Sequence, residues 1–311
     1  MELFGYKGKI KGCFMRLEKK ATVVSSGVAA LLVILKLTVG ILSGSIAVLA
    51  SAIDSLLDLT VSLFNYFALH NSDKNPDEQF HFGRSKLEPL AAVVEGTIIS
   101  FSALFILYEA ISKIVHPENI QFMNESILVM ILSLIITSFL VMFLSFVAKK
   151  TQNMVIHADY IHYKADLFSN GAVLLALVLI HYTSQQLIDP ILGIVIAIYM
   201  IYSAIPIVKE GVLMLLDVSL PKEDEEKIEN IIKEEKVITT YHNLRTRESG
   251  SHIFMSFHLV FNVSISLYDA HVIADKIEEK IVAMFPNKRV HILTHMDPYD
   301  DSQINAEEEQ W

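Results

Sequence analysis

The stretch AIDSLLD, residues 52–58, places Asp54 and Asp58 inside a run, 46–69, that is otherwise almost wholly apolar. At i and i+4 the two carboxylates share one helix face, where like charges repel. An aspartate near the centre of a bilayer costs about 2.5–3.5 kcal/mol on insertion scales. A lone aspartate there is readily explained as a helix cap or a polar crevice residue. A pair at this spacing asks for something positive between them.

Outward from this stretch, 52% of the 311 residues are hydrophobic. The mean hydropathy of +0.44 is too high for an ordinary soluble protein. Six apolar runs, 21–41, 46–69, 89–113, 125–148, 160–182 and 187–208, each approach or exceed the ~20 residues that span a bilayer. The first is too long for the apolar core of a signal peptide. The expected fold is therefore an all-α, six-helix transmembrane domain over 21–210, after an N-terminal segment 1–20.

Basic residues set the orientation. Lys7, Lys9, Lys11, Arg16, Lys19 and Lys20 precede the first run, Lys74, Arg84 and Lys86 follow the second, Lys149 and Lys150 the fourth, and Lys209 the last. Only Lys113 stands near an end on the other side, so both termini are expected in the cytoplasm.

From Asp217 onward lie 19 of the 35 acidic but only 10 of the 25 basic residues. Such an acidic domain argues against nucleic acid and suits cations. It occupies 211–299 and reads as helix, strand, strand, helix, strand: a small α+β (αββαβ) unit, its sheet covered by two helices. The polar stretch 300–311 reads as a disordered acidic tail. The single cysteine, Cys13, excludes an intramolecular disulfide and thiolate-rich metal sites. No phosphate-binding loop and no H-E-x-x-H is present, so neither ATP-driven transport nor zinc proteolysis is indicated and the chain is not expected to be an enzyme.

The fifth run supplies the complement to the aspartates. ADYIHYKADLFSN, 158–170, sets Asp159, His162 and Asp166 at i, i+3 and i+7 on one face. A lone histidine is more often a satisfied polar residue than a ligand. An H-x-x-x-D helix facing a D-x-x-x-D helix can instead bring Asp54, Asp58, His162 and Asp166 onto one divalent cation in tetrahedral geometry. Asp159, one turn nearer the cytoplasm, fits an inward route for the cation or equally a helix-end or surface role. The two motifs sit on the middle helix of each three-helix half, as in inverted-repeat transporters. A passive divalent-cation channel and a membrane-anchored metal sensor are the rival readings. Ligands gathered at one closed site count against the first, and ligands inside the membrane against the second.

Six of the twelve histidines fall in the soluble domain. Alternation puts His252 and His258 on the face opposite Ile253, Met255, Phe257 and Leu259, while His291, His295 and Asp297 share a face. His242 and His271 complete the set. Taken singly, each is as well explained as a solvated surface residue.

With DSLLD, HYKAD, SGSIAVLASAIDSLLD, FGRSKLEPLAA and HADYIHYKADLFSNGAV on the page, the chain resembles the cation diffusion facilitators over nearly its whole length, and within them the iron/zinc type. The resemblance implies a homodimer in the bacterial cytoplasmic membrane. It would export Zn2+, or Fe2+, Cd2+ or Mn2+, in exchange for protons by alternating access, with a metallochaperone-like cytoplasmic domain. It carries the transport site onto Asp54, Asp58, His162 and Asp166, and a regulatory cytoplasmic site onto His242, His258, His271, His295 and Asp297. It leaves His252 and His291 unassigned. In the loop it implies a metal position at which Asp77 is kept but Phe80 and Arg84 replace histidines; His81 is the one available substitute, and the site is expected to be weakened or absent. It also implies a salt bridge between Lys86 and Asp217.

Overall fold

The structure, a computed structural model, describes residues 3–43, 46–115, 124–183 and 187–302. The chain divides into two compact units, Met1–Val212 and Leu213–Trp311.

The first unit is built from long helices: α1 (Leu3–Ser43), α2 (Ile46–Ser72), α3 (Leu87–Val115), α4 (Asn124–Thr151), α5 (Met154–Thr183) and α6 (Ile188–Leu215). Among the described residues, five are long and apolar enough to cross a membrane, in the segments Leu17–Leu42, Ser51–Ser72, Leu87–Val115, Ile127–Thr151 and Pro190–Leu215. The first half of α5 carries Asp159, His162, Lys164 and Asp166. Large apolar side chains such as Ile34, Leu42, Phe101, Phe139 and Tyr202 point outward from these helices. Water would oppose so wide an apolar surface, whereas lipid tails accept it.

Local chemistry explains how α5 is aimed. Lys149 and Lys150 close α4, where cations complement the helix C-terminus. Gln152 then takes a left-handed φ of 53°, and Asn153 caps α5, its Oδ1 accepting from the backbone N–H of Val155 at 3.0 Å and Ile156 at 3.3 Å. The Asn153 amide also donates to Glu88 Oε2 at 2.8 Å, tying the start of α5 to the start of α3. Glycines let α3 and α6 close on each other: a Cβ on Gly96 would meet Val208 Cγ2 at 2.7 Å, and one on Gly211 would meet Val93 Cγ2 at 2.6 Å.

The second unit follows the expected order: α7 (Lys222–Lys233), β1 (Ile238–Ser249), β2 (His252–Phe261), α8 (Leu267–Met284) and β3 (Arg289–Asp297). The sheet runs β1-β2-β3, with β1 and β2 antiparallel around Gly250 (φ 59°) and β3 parallel to β2 after the α8 crossover. Ile253, Met255, Phe257 and Leu259 of β2 meet Ile228 and Ile232 of α7 and Ala270, Ala274, Ile277 and Ile281 of α8 in one buried core. Alternation therefore turns His252, Phe254, Ser256 and His258 to the opposite face. Ser266 caps α8, its Oγ accepting from Asp269 N at 3.1 Å.

Candidate metal centres

In the first unit the expected ligands converge between α2 and α5. His162 Nε2 lies 3.3 Å from Asp58 Oδ1 and 3.6 Å from Asp166 Oδ2. One atom from each of the three falls within 4.8 Å of the others. A tetrahedral zinc with bonds of about 2.0–2.2 Å needs ligand atoms roughly 3.3–3.6 Å apart, so the spacing suits such an ion. His162 is buried, and Tyr163 beside it bonds Ser62 of α2 at 2.8 Å, which holds the two helices in register. Asp54, one turn earlier on α2, stays exposed and is not part of this three-residue group.

Two neighbours, Lys36 and Glu95, escaped the reading of the sequence. Lys36 of α1 is buried, and its Nζ donates to Ser55 Oγ at 2.8 Å and to the Ser51 carbonyl at 3.3 Å. Its charge acts on Asp58, Asp166 and Asp54. The signal was a single lysine in the apolar run 21–41. Toward the start of α5, Asp159 is fully buried, and the Asn65 amide lies 3.5 Å from it and donates to Glu95 Oε2 at 2.9 Å. Burial excludes the surface role for Asp159 that the sequence left open.

The loop position does not assemble. Arg84 donates to Asp77 Oδ2 at 2.6 Å and stacks over the Phe80 ring at 4.1 Å. Asp77 Oδ1 accepts the N–H groups of Gln79 and Phe80 at 3.0 and 2.9 Å. Arg84, and then these backbone donors, hold the Asp77 carboxyl below the usual carboxylate range. His81 turns to the Glu78 carbonyl at 3.2 Å. The arginine thus takes the place that a cation would fill. Asp217, at φ 59° after α6, pairs with Arg247 of its own unit at 2.9 Å, while Lys86 belongs to the other unit.

In the second unit, strand register does the assembly. His242 lies opposite His258 across β1-β2, and His258 opposite His295 across β2-β3, so three imidazoles form a row. Their ring centroids are 4.7 and 4.6 Å apart. Asp297 is buried beneath the row, 2.8 Å from His258 Nδ1, 3.0 Å from His295 Nε2 and 3.6 Å from His242 Nε2. Asp301 reaches His242 at 3.1 Å and joins His242, His258 and Asp297 as a four-residue group able to hold an ion. Asp301 belongs to the stretch 300–311 that the sequence reads as a disordered tail. Residues 303–311 lie outside the described residues. His271 stands apart on α8, exposed and 3.9 Å from Asp275. His252 and His291 form a separate pair, Nδ1 to Nε2 3.0 Å, stacked with Phe254.

Comparison with known proteins agrees with this division. Residues 22–216 match the cation efflux transmembrane domain, and residues 220–299 match the cytoplasmic domain of cation efflux proteins. The chain is 37% identical over 283 residues to the cation-efflux pump FieF of Klebsiella pneumoniae, covering 91% of this chain and 93% of that one. It is 36% identical over the same shares to FieF of Escherichia coli. A solved structure of a candidate zinc transporter, CzrB, in its zinc form aligns with 27% of this chain and 93% of its own, at 28% identity and a TM-score of 0.25. With two adjoining family domains and a likeness to FieF over about nine-tenths of both chains, the chain belongs to the cation diffusion facilitators, in their iron/zinc-type branch of cation-efflux transporters.

Proposed function

We propose that the chain exports divalent transition-metal cations of the zinc/iron class in exchange for protons, by alternating access around Asp58, His162 and Asp166, with Asp54 as the fourth ligand. The convergence of an aspartate of α2 with the histidine and aspartate of α5 carries this reading. Three oxygens and one nitrogen suit Zn2+, Fe2+, Cd2+ or Mn2+. The ligands bind metal only when deprotonated, so loading expels protons, and protons arriving from the other side expel the metal. Lys36 is a tethered cation beside the site: it offsets part of the carboxylate charge once metal has left and opposes metal that stays too long.

α5 is the sixth span in this reading, its polar face covered by α2 and α3 and its apolar remainder toward lipid, with both termini cytoplasmic. The second unit pairs two protomers. There His242, His258, Asp297 and Asp301 hold one ion, with His295 at its edge and His271 serving a neighbouring position. Metal bound there favours the dimer.

The test is zinc flux in liposomes under an imposed pH gradient. Flux should follow the gradient and vanish in Asp58→Ala. Flux indifferent to pH would remove proton exchange and leave a passive channel. Persistence of flux in Asp58→Ala would remove the site itself.

A further inference from the structure

We propose that Glu95, Asp159 and Asn65 form a second, oxygen-only cation position, one helical turn from the transport site toward the start of α5. Its place on a route rests on the transport reading; its chemistry does not.

All three side chains are fully buried. Two carboxylates, from α3 and α5, meet at one amide: Asn65 Nδ2 donates to Glu95 Oε2 at 2.9 Å and lies 3.5 Å from Asp159 Oδ1. Among the described residues, Glu95 Oε1, Asp159 Oδ2 and Asn65 Oδ1 are left buried with no hydrogen-bond partner. Each belongs to a group whose other polar atom sits at that amide. The Ser25 hydroxyl of α1, which donates to the Thr22 carbonyl at 3.2 Å, also faces Asp159. Glu88, two turns earlier on α3 and as deeply buried, shows the ordinary solution: Asn153 serves it at 2.8 Å, and no oxygen of Glu88 is orphaned. Buried charges are normally paired or bound to metal, and one amide N–H pair does not satisfy two carboxylates.

The donor set decides the class of ligand. Two carboxylates and a carboxamide make a hard site that suits Mn2+, Mg2+ or Fe2+ with water completing the shell, and suits soft Cd2+ poorly. The imidazole of His162 makes the next position softer. Asp159 precedes His162 by three residues, roughly 4.5 Å along the helix at 1.5 Å per residue. Two divalent ions that close repel strongly, so the positions fill in turn, and the outer one stages a partly hydrated cation before the transport site takes it.

The probe is Mn2+ alone, counted by electron paramagnetic resonance on the full-length chain carrying Asp58→Ala, which disables the transport site. Adding Glu95→Gln should remove one bound Mn2+ per protomer, and adding Asn65→Ala instead should weaken that ion about tenfold. Zinc retained by the His258 cluster in each variant reports that the chain is folded. An Mn2+ count and affinity that ignore Glu95 would overturn the proposal and leave the carboxylates holding protons. Liposome flux of the single Asp58→Ala variant judges the transport reading separately, because the Mn2+ count involves no transport.

Discussion

Asp58, His162 and Asp166 come from two helices, whereas His242, His258, His295 and Asp297 come from three strands. In the helical cluster a spacing of four delivers His162 and Asp166 together, and one contact between α2 and α5 completes the set. In the strand cluster each strand delivers a single imidazole, so two ladders must both be in register. A slip of one residue in either would turn a histidine toward the helix-covered face. Surroundings differ as well. His162 is buried, while His295 is 64% exposed at its side chain. The helical cluster is thus set by local spacing and one helix contact, and the strand cluster depends on the whole sheet.

Ligand removal should break this comparison most sharply. Asp58→Ala should lower zinc flux by more than the roughly 10–100-fold that follows loss of an outer metal partner. His258→Ala, read in the same liposomes, should leave a measurable rate. Equal losses would mean that the cytoplasmic cluster drives transport rather than favouring the dimer.

The strand cluster should reveal itself in stability. Zinc at 100 times its dissociation constant stabilises a binding unit by about 2.7 kcal/mol. His258→Ala should cancel most of the zinc-dependent rise in Tm of the cytoplasmic unit in the full chain. A rise unchanged by that variant would show that the row of imidazoles holds no metal.

Lys36→Met sharpens the electrostatic side. Removing a like charge that acts on Asp58 and Asp166 should tighten equilibrium zinc binding at the transport site, roughly tenfold, while slowing release. Isothermal titration and single-turnover efflux separate the two effects. Weaker binding would make the lysine a scaffold for Ser55 and nothing more.

The smallest effect is expected at the loop. Arg84 holds Asp77 below its ordinary value of 3.8, so the pair's contribution is present above that pH and lost as pH falls through the folded value. Arg84→Gln should move the acid dependence of hydrogen exchange at Gln79 and Phe80 to higher pH. Because Asp77 is exposed, the change belongs at the scale of a surface ion pair.

Much of this molecule could be read along the chain because its signals are local. DSLLD, HYKAD and the β2 alternation each span a few residues, and the apolar runs one helix each, and physics at that range depends on neighbours in sequence. What escaped were side chains whose meaning comes from another element. Lys36 is one charge in an apolar run until Ser55 and Ser51 meet it. Glu95 is one acid in α3 until Asn65 joins it to Asp159. Asp301 reads as tail in the sequence yet lies 3.1 Å from His242, and Arg84, only a missing histidine in sequence, proves to pair with Asp77.

By itself, then, the sequence determined the membrane class, the αββαβ unit and the two ligand-bearing helices, since hydropathy and periodicity act over a few residues. Only the tertiary structure decided which charges share a site, because a carboxylate's partner is set by the helix or strand packed against it.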